Sequence, residues 1–171
     1  MPELENNHKR AIRYAIYENG ISHVKGDEID IGKKFAESLE TKRSRICFHL
    51  NINDSIHEMM ITFHKDTYVR PHKHFCKTES YLVIDGEVEI VFFDDEGCIK
   101  KRVPMGNYAS GKDFYLKSIS EEWHTVLIKT NFATILEITN GPFVANDCLF
   151  AEWAPKPTDT IKAKAYIESL L

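Results

Sequence analysis

The chain of 171 residues has no long apolar run, no block of basic residues and no closely paired cysteines. A helix needs about 20 predominantly apolar residues to cross a bilayer, and no run approaches that length. Its 22 Lys and Arg are scattered among 26 Asp and Glu, for a net charge of −4. Neither nucleic acid nor a membrane surface is expected as a partner. Cys47, Cys76, Cys98 and Cys148 never form a Cys-x-x-Cys pair, which argues against a zinc ribbon or a thioredoxin motif. The N-terminal residues contain no apolar signal core and no small-residue cleavage site. The expected location is therefore cytoplasmic, with the thiols reduced.

Apolar residues at 43% and charged residues at 28% are the mix of a soluble globular domain. The length suits one domain able to bury its own core. The first forty residues read as helical. Ile12, Ala15 and Ile16 share one helical face before Gly20, and Ile31, Phe35 and Leu39 share another after a possible cap at Asp30. From about residue 44 to 139 the pattern becomes short alternating runs at 46–50, 59–63, 68–74, 80–84, 88–93, 99–103, 114–116, 125–128 and 133–138. Turn signals such as Asp85-Gly86 and Asn140-Gly141 separate them. Many short strands without intervening helices predict an antiparallel sandwich or barrel. After Pro155 and Pro157 a closing helix is expected over 159–171, docking through Ile161, Ala165 and residues 167–170. The expected organisation is a helical extension at 1–40, a β-domain at 41–157 and a C-terminal helix at 158–171.

The chemistry concentrates between Pro71 and Gly86. On a strand, His72 and His74 lie two residues apart, so their imidazoles share a face about 7 Å apart along the chain. Glu79 follows after a four-residue turn and opens the next strand, which can fold back beside them. Two imidazoles and a carboxylate suit Zn, Fe, Ni, Mn or Cu better than Mg or Ca. A lone His-x-His is commonly just surface; the added Glu79 and Gly86 change that balance.

The intervals His72-x-His74, four residues, Glu79, six residues, Gly86 resemble the first motif of the cupin superfamily. The resemblance implies a cupin double-stranded β-helix, a jelly roll with an all-β core, flanked here by N-terminal helices and a C-terminal helix. It also implies a fourth ligand, His124, because a late strand of that fold passes beside the first-motif strands. The surroundings of His124 depart from the usual second motif: residues 118–123 lack Pro-x-Gly, and Ile128 stands where Asn is common.

The chain further resembles the WbuC-type cupin fold metalloproteins over roughly residues 40–157. The segments that carry this likeness are Lys42-Arg43-Ser44-Arg45, residues 53–59, residues 67–74, Phe92-Phe93-Asp94-Asp95-Glu96-Gly97, Trp123-His124-Thr125, Gly141-Pro142-Phe143 and residues 150–155. This likeness implies one divalent transition metal and a setting in surface polysaccharide biosynthesis.

Arg43, Arg45 and His49 share strand parity opposite Ile46, Phe48 and Leu50. The plain reading is a solvated strand face. The functional one is a grip on phosphate or carboxylate, since a guanidinium matches such anions bidentately. Arg70, in parity with His72 and His74, either contacts substrate or pairs with a carboxylate such as Glu89. His49 and Glu137 are the candidates for a proton-moving group, with Glu137 either on the outer face or inside the barrel. Three functions fit: a metal-dependent isomerase or epimerase of a sugar, sugar phosphate or nucleotide-sugar; an Fe(II) dioxygenase; or a non-catalytic binding cupin. A small carbohydrate-derived ligand and a homodimer are the expected partners.

Overall fold

The computed structural model describes residues 12–171. The chain begins with β1 (Ile12–Tyr14), α1 (Asp27–Ser38), β2 (Arg43–Cys47) and β3 (Ile56–His64). It continues through β4 (His72–His74), β5 (Glu79–Asp85), β6 (Glu87–Phe93) and β7 (Ile99–Gly106). The last elements are β8 (Tyr115–Ser118), β9 (Trp123–Ile128), β10 (Phe132–Asn140), β11 (Cys148–Phe150) and α2 (Thr160–Leu170).

These strands build a six-stranded sheet, β1-β2-β3-β10-β5-β8, and a five-stranded one, β11-β4-β9-β6-β7. Every pairing is antiparallel except β1 with β2. Without β1, β2 and β11 at the edges, β3-β10-β5-β8 faces β4-β9-β6-β7, which is the strand order of an eight-stranded jelly roll. The expected all-β jelly-roll core is the fold. No described helix is long and apolar enough to cross a membrane, and all four cysteines are free.

Strand alternation decides where each side chain goes. On β3 the odd residues Ile61 and Phe63 face between the sheets, where they meet Val83, Val88, Ile90, Met105 and Ile135. The even residues face outward and are covered by α1. Gly32 comes so close to the sheet that a Cβ there would lie 2.9 Å from Thr62 Oγ1. Ser44 Oγ donates to Gly32 O at 2.8 Å, and Thr62 and Thr134 hydroxyls meet at 3.0 Å. The far side of the other sheet is covered by α2, whose Leu170 packs with Val91, Phe93 and Leu127, flanked by Trp123 and Trp153.

The helical reading of residues 12–20 is corrected. Ile12–Tyr14 pairs in parallel with Arg45–Cys47, and Ile16 remains 82% exposed, so the helix-like spacing has no apolar face to bury. One described N-terminal helix is present rather than two. Its N-cap is Gly26, and Asp30 lies in its first turn rather than at its cap. The part of the helical extension within residues 1–11 lies outside the described residues. The closing helix docks through Ala163, Tyr166 and Leu170, while Ile161 is 82% exposed. Only His72–His74 of the run 68–74 is strand, and β11 carried no sequence signal.

Gly86 turns β5 into β6 at φ +72°, and a Cβ there would lie 2.2 Å from Phe132 O. Gly86→Ala combines a left-handed backbone with a direct clash. It should lose at least ~1–2 kcal/mol of unfolding free energy, measured by urea denaturation; an unchanged midpoint would contradict this account of the turn.

Candidate metal centre

His72 and His74 leave β4 on one side, and His124 stands directly opposite His72 in the pairing of β4 with β9. The carboxylate comes from the facing sheet, where Glu79 opens β5. His74 Nε2 lies 3.1 Å from Glu79 Oε1, and His124 Nε2 lies 3.1 Å from Glu79 Oε2. The His72 ring is centred 5.0 Å from His74 and 4.5 Å from His124. One ligand nitrogen from each of these imidazoles falls within 4.8 Å of the others, an arrangement that can hold a metal ion. The sequence motif and its distant fourth member therefore meet at one point.

The second nitrogens explain how the rings are aimed. His72 Nδ1 sits 2.9 Å from Arg70 O, and His124 Nδ1 sits 3.0 Å from Glu122 O. A carbonyl only accepts, so each Nδ1 carries the proton and each Nε2 presents a lone pair. The 3.1 Å separations also fit a shared cation, since cis ligands with bonds of ~2.1 Å stand about 3.0 Å apart in an octahedron.

Burial, then the neighbouring His124, pushes the His72 imidazole down to about 3, so it stays a neutral donor. Burial alone would raise the Glu79 carboxyl, yet hydrogen bonds from His124 and His74 hold it well below the ordinary carboxylate range. Burial opposes a charge on His74, but the nearby Cys148 and the contact with Glu79 lift it to about 10.

Two further groups adjoin the cluster. Tyr81, two residues along β5, places its hydroxyl 3.4 Å from His124 Nε2. Glu137 stands between Tyr81 and Met59 in the sheet register, which settles its parity: it lies inside the barrel. Burial and then the charge of Glu79 raise its pKa, with Arg45 opposing.

The solvated-face reading of Arg43, Arg45 and His49 is corrected. Arg43 pairs with Phe63 and Arg45 with Ile61, so both point between the sheets with the core residues. Burial, then Arg45, pushes the Arg43 guanidinium down to about 10. Arg45 Nη1 meets only Met59 Sδ, at 3.7 Å. His49 stacks on His57 with ring centres 4.1 Å apart. Arg70 is committed to the chain: its Nη2 donates to Ala151 O at 2.6 Å, and its guanidinium covers the Phe150 ring. Glu89 pairs instead with Arg102 at 2.7 Å.

Sequence reasoning missed Tyr81, whose signal was its shared parity with Glu79. It also missed His57 and Thr139, opposite each other on β3 and β10. His57 Nε2, His49 Nδ1 and Thr139 Oγ1 are buried without a hydrogen-bond partner among the described residues.

A family described as a domain of unknown function, DUF6016, matches residues 26–105, just under half of the chain. No curated protein matches it. Among solved structures, protein SO0799 of Shewanella oneidensis is similar with a TM-score of 0.52 and 12% identity, over 69% of this chain and 75% of that one. A cupin superfamily protein of Desulfitobacterium hafniense gives a TM-score of 0.47 and 17% identity, over 63% and 85%. A Bacillus subtilis oxalate decarboxylase gives 0.45 and 15%, over 57% and 24%. At 12% identity, the likeness to SO0799 speaks for the fold alone.

Loss of one ligand should lower metal affinity by at least the ~10–100-fold that loss of an outer-shell partner costs. Elemental analysis of untagged protein should therefore show near-stoichiometric metal in the parent and little in His74→Ala or His124→Ala. Equal metal in parent and variants would remove these residues from the ligand set.

Proposed function

We propose that the protein is a metal-dependent cupin enzyme that isomerises or epimerises a sugar, sugar phosphate or nucleotide-sugar. The observation that carries this reading is the convergence of His72, His74, Glu79 and His124 beside Glu137, an inward acid outside the ligand set. A bound divalent cation, with Zn, Fe, Ni and Mn as candidates, supplies Lewis-acid polarisation of a carbonyl or hydroxyl oxygen. Glu137 moves the proton at the carbon next to that oxygen. It is preferred over His49 because it faces the cluster from the neighbouring register position, whereas His49 is stacked on His57 at the end of β2. Arg45, inward-facing, acted on by the charge of Glu137 but in no ion pair among the described residues, holds an anionic group of the substrate. The proposed setting, surface polysaccharide biosynthesis, rests on the likeness to WbuC-type proteins.

Glu137→Gln should keep the parent's metal content while slowing solvent-deuterium exchange into an aldose or ketose phosphate by about 10²–10⁴-fold. Exchange undiminished in this variant would remove Glu137 as the base. Stoichiometric iron with substrate-dependent oxygen uptake would replace the isomerase by a dioxygenase. Absence of metal after reconstitution would leave a binding module.

A homodimer belongs to the same proposal. β8 ends the six-stranded sheet, and around it Tyr108, Tyr115 and Ile119 are 82%, 51% and 79% exposed. Sedimentation equilibrium should give twice the chain mass, and Tyr108→Glu with Tyr115→Glu should return a monomer. A parent that sediments as a monomer at micromolar concentration would refute it.

A further inference from the structure

The end of the barrel away from the metal centre holds a second opening. Side chains at His57, Thr139 and His124 mark one end of their strands, while His64, Phe132 and Ile128 mark the other. At that other end, an open groove of about 1510 Å³ runs between α2 and the turns that precede β2 and β10. Its inner part reaches the barrel core at Ile128, which is 6% exposed. Tyr68 and Ile167 extend the apolar wall.

Basic residues outnumber acidic ones along this groove, five to three, and one of the five, Lys129, also reaches Glu89 at 4.0 Å. Arg43, Lys42, Lys65, Lys129 and Lys164 line it. The opposing acids are Glu40, Asp66 and Glu168, of which Asp66 lies 3.5 Å from His64 Nδ1 and Glu168 lies 4.0 Å from Lys164. Arg43 is the cation that counts most. It faces inward beside Phe63, and it forms no ion pair or hydrogen bond through its side chain among the described residues. Lys65 is likewise without an ion pair. Burial and the neighbouring Arg45 both penalise this guanidinium, the charge of Glu137 favours it without forming an ion pair, and an anion arriving from the groove lowers the remaining cost. The apolar wall beside it suits a hydrocarbon body attached to that anion.

We propose that this groove is a second small-molecule site, separate from the metal centre, for an amphipathic anion whose phosphate or carboxylate pairs with Arg43 and Lys65. The apolar body lies along Tyr68, Ile128 and Ile167. Arg43 and Arg45 stand two residues apart on β2, ~7 Å along the strand, so each cation serves a different end of the barrel.

The test uses the full chain, metal-loaded, with octyl phosphate and decanoate as probes and octyl glucoside as the neutral control, read by isothermal titration. Both anions should bind and the glucoside should not. Arg43→Gln should weaken binding about tenfold or more, the worth of one charge-assisted contact. Lys65→Gln, at the surface and safe for folding, should weaken it severalfold. Metal content should be the same in the parent, Arg43→Gln and Lys65→Gln, and His74→Ala, although depleted of metal, should bind the anions as the parent does. Equal binding of the neutral glucoside, or anion binding untouched by both Gln variants, would overturn the proposal. Anion binding lost in His74→Ala would overturn it too, by moving the ligand to the metal centre. Absence of metal from the parent would count against the proposed enzyme alone.

Discussion

Glu79 joins the two sheets chemically. Its oxygens reach His74 and His124, each at 3.1 Å, and those rings belong to the opposite sheet. The barrel must therefore close to one spacing at this end for the cluster to exist. The apolar contacts deeper in the barrel, from Ile61 to Ile135 on one side and Val88 to Ile90 on the other, set that spacing. Dense interiors deform little, so the core acts as the gauge and the carboxylate as the point where its setting is read.

The inner surface is thereby divided. Its middle is apolar, but both ends carry groups that burial penalises: Glu79, Glu137 and Tyr81 at one, Arg43 at the other. Such groups are tolerated when partnered, and a buried charge left alone is the expensive case. At the metal end the imidazoles and the carboxylate answer one another. At the opposite end Arg43 feels the charge of Glu137 but makes no ion pair or side-chain hydrogen bond among the described residues. The tautomers follow the same logic, because backbone carbonyls at Arg70 and Glu122 take the outward protons of His72 and His124. The backbone thus prepares two lone pairs before any cation arrives.

Much of the ligand set was legible because it is local. His72, His74 and Glu79 lie within eight residues of sequence, and strand alternation alone puts the two histidines on one face. His124 was reachable only through the likeness to a fold, since nothing near it in sequence announces a ligand. Glu137, Arg43 and Arg45 were ambiguous for a related reason: alternation tells which residues share a face, but not which face looks inward. Pairing of β2 with β3 and of β10 with β5 supplied that choice. The misread segment at residues 12–20 shows the opposite failure. Its apolar spacing was helical, yet a free edge beside Arg45–Cys47 captured its backbone as a strand, because ladder hydrogen bonds outweighed a face with nothing to cover.

By itself, then, the sequence determined the strand-rich middle, the turn at Gly86, the closing helix and the first three residues of the candidate metal centre. These depend on short-range geometry: period-two alternation, a positive φ, a spacing of two. Tertiary structure alone decided that His124 lies against His72, that Glu137 and the two arginines point into the barrel, and that α2 walls a groove at its far end. Those outcomes come from pairings between residues tens of positions apart, whose register is chosen by the burial of whole faces rather than by any local pattern.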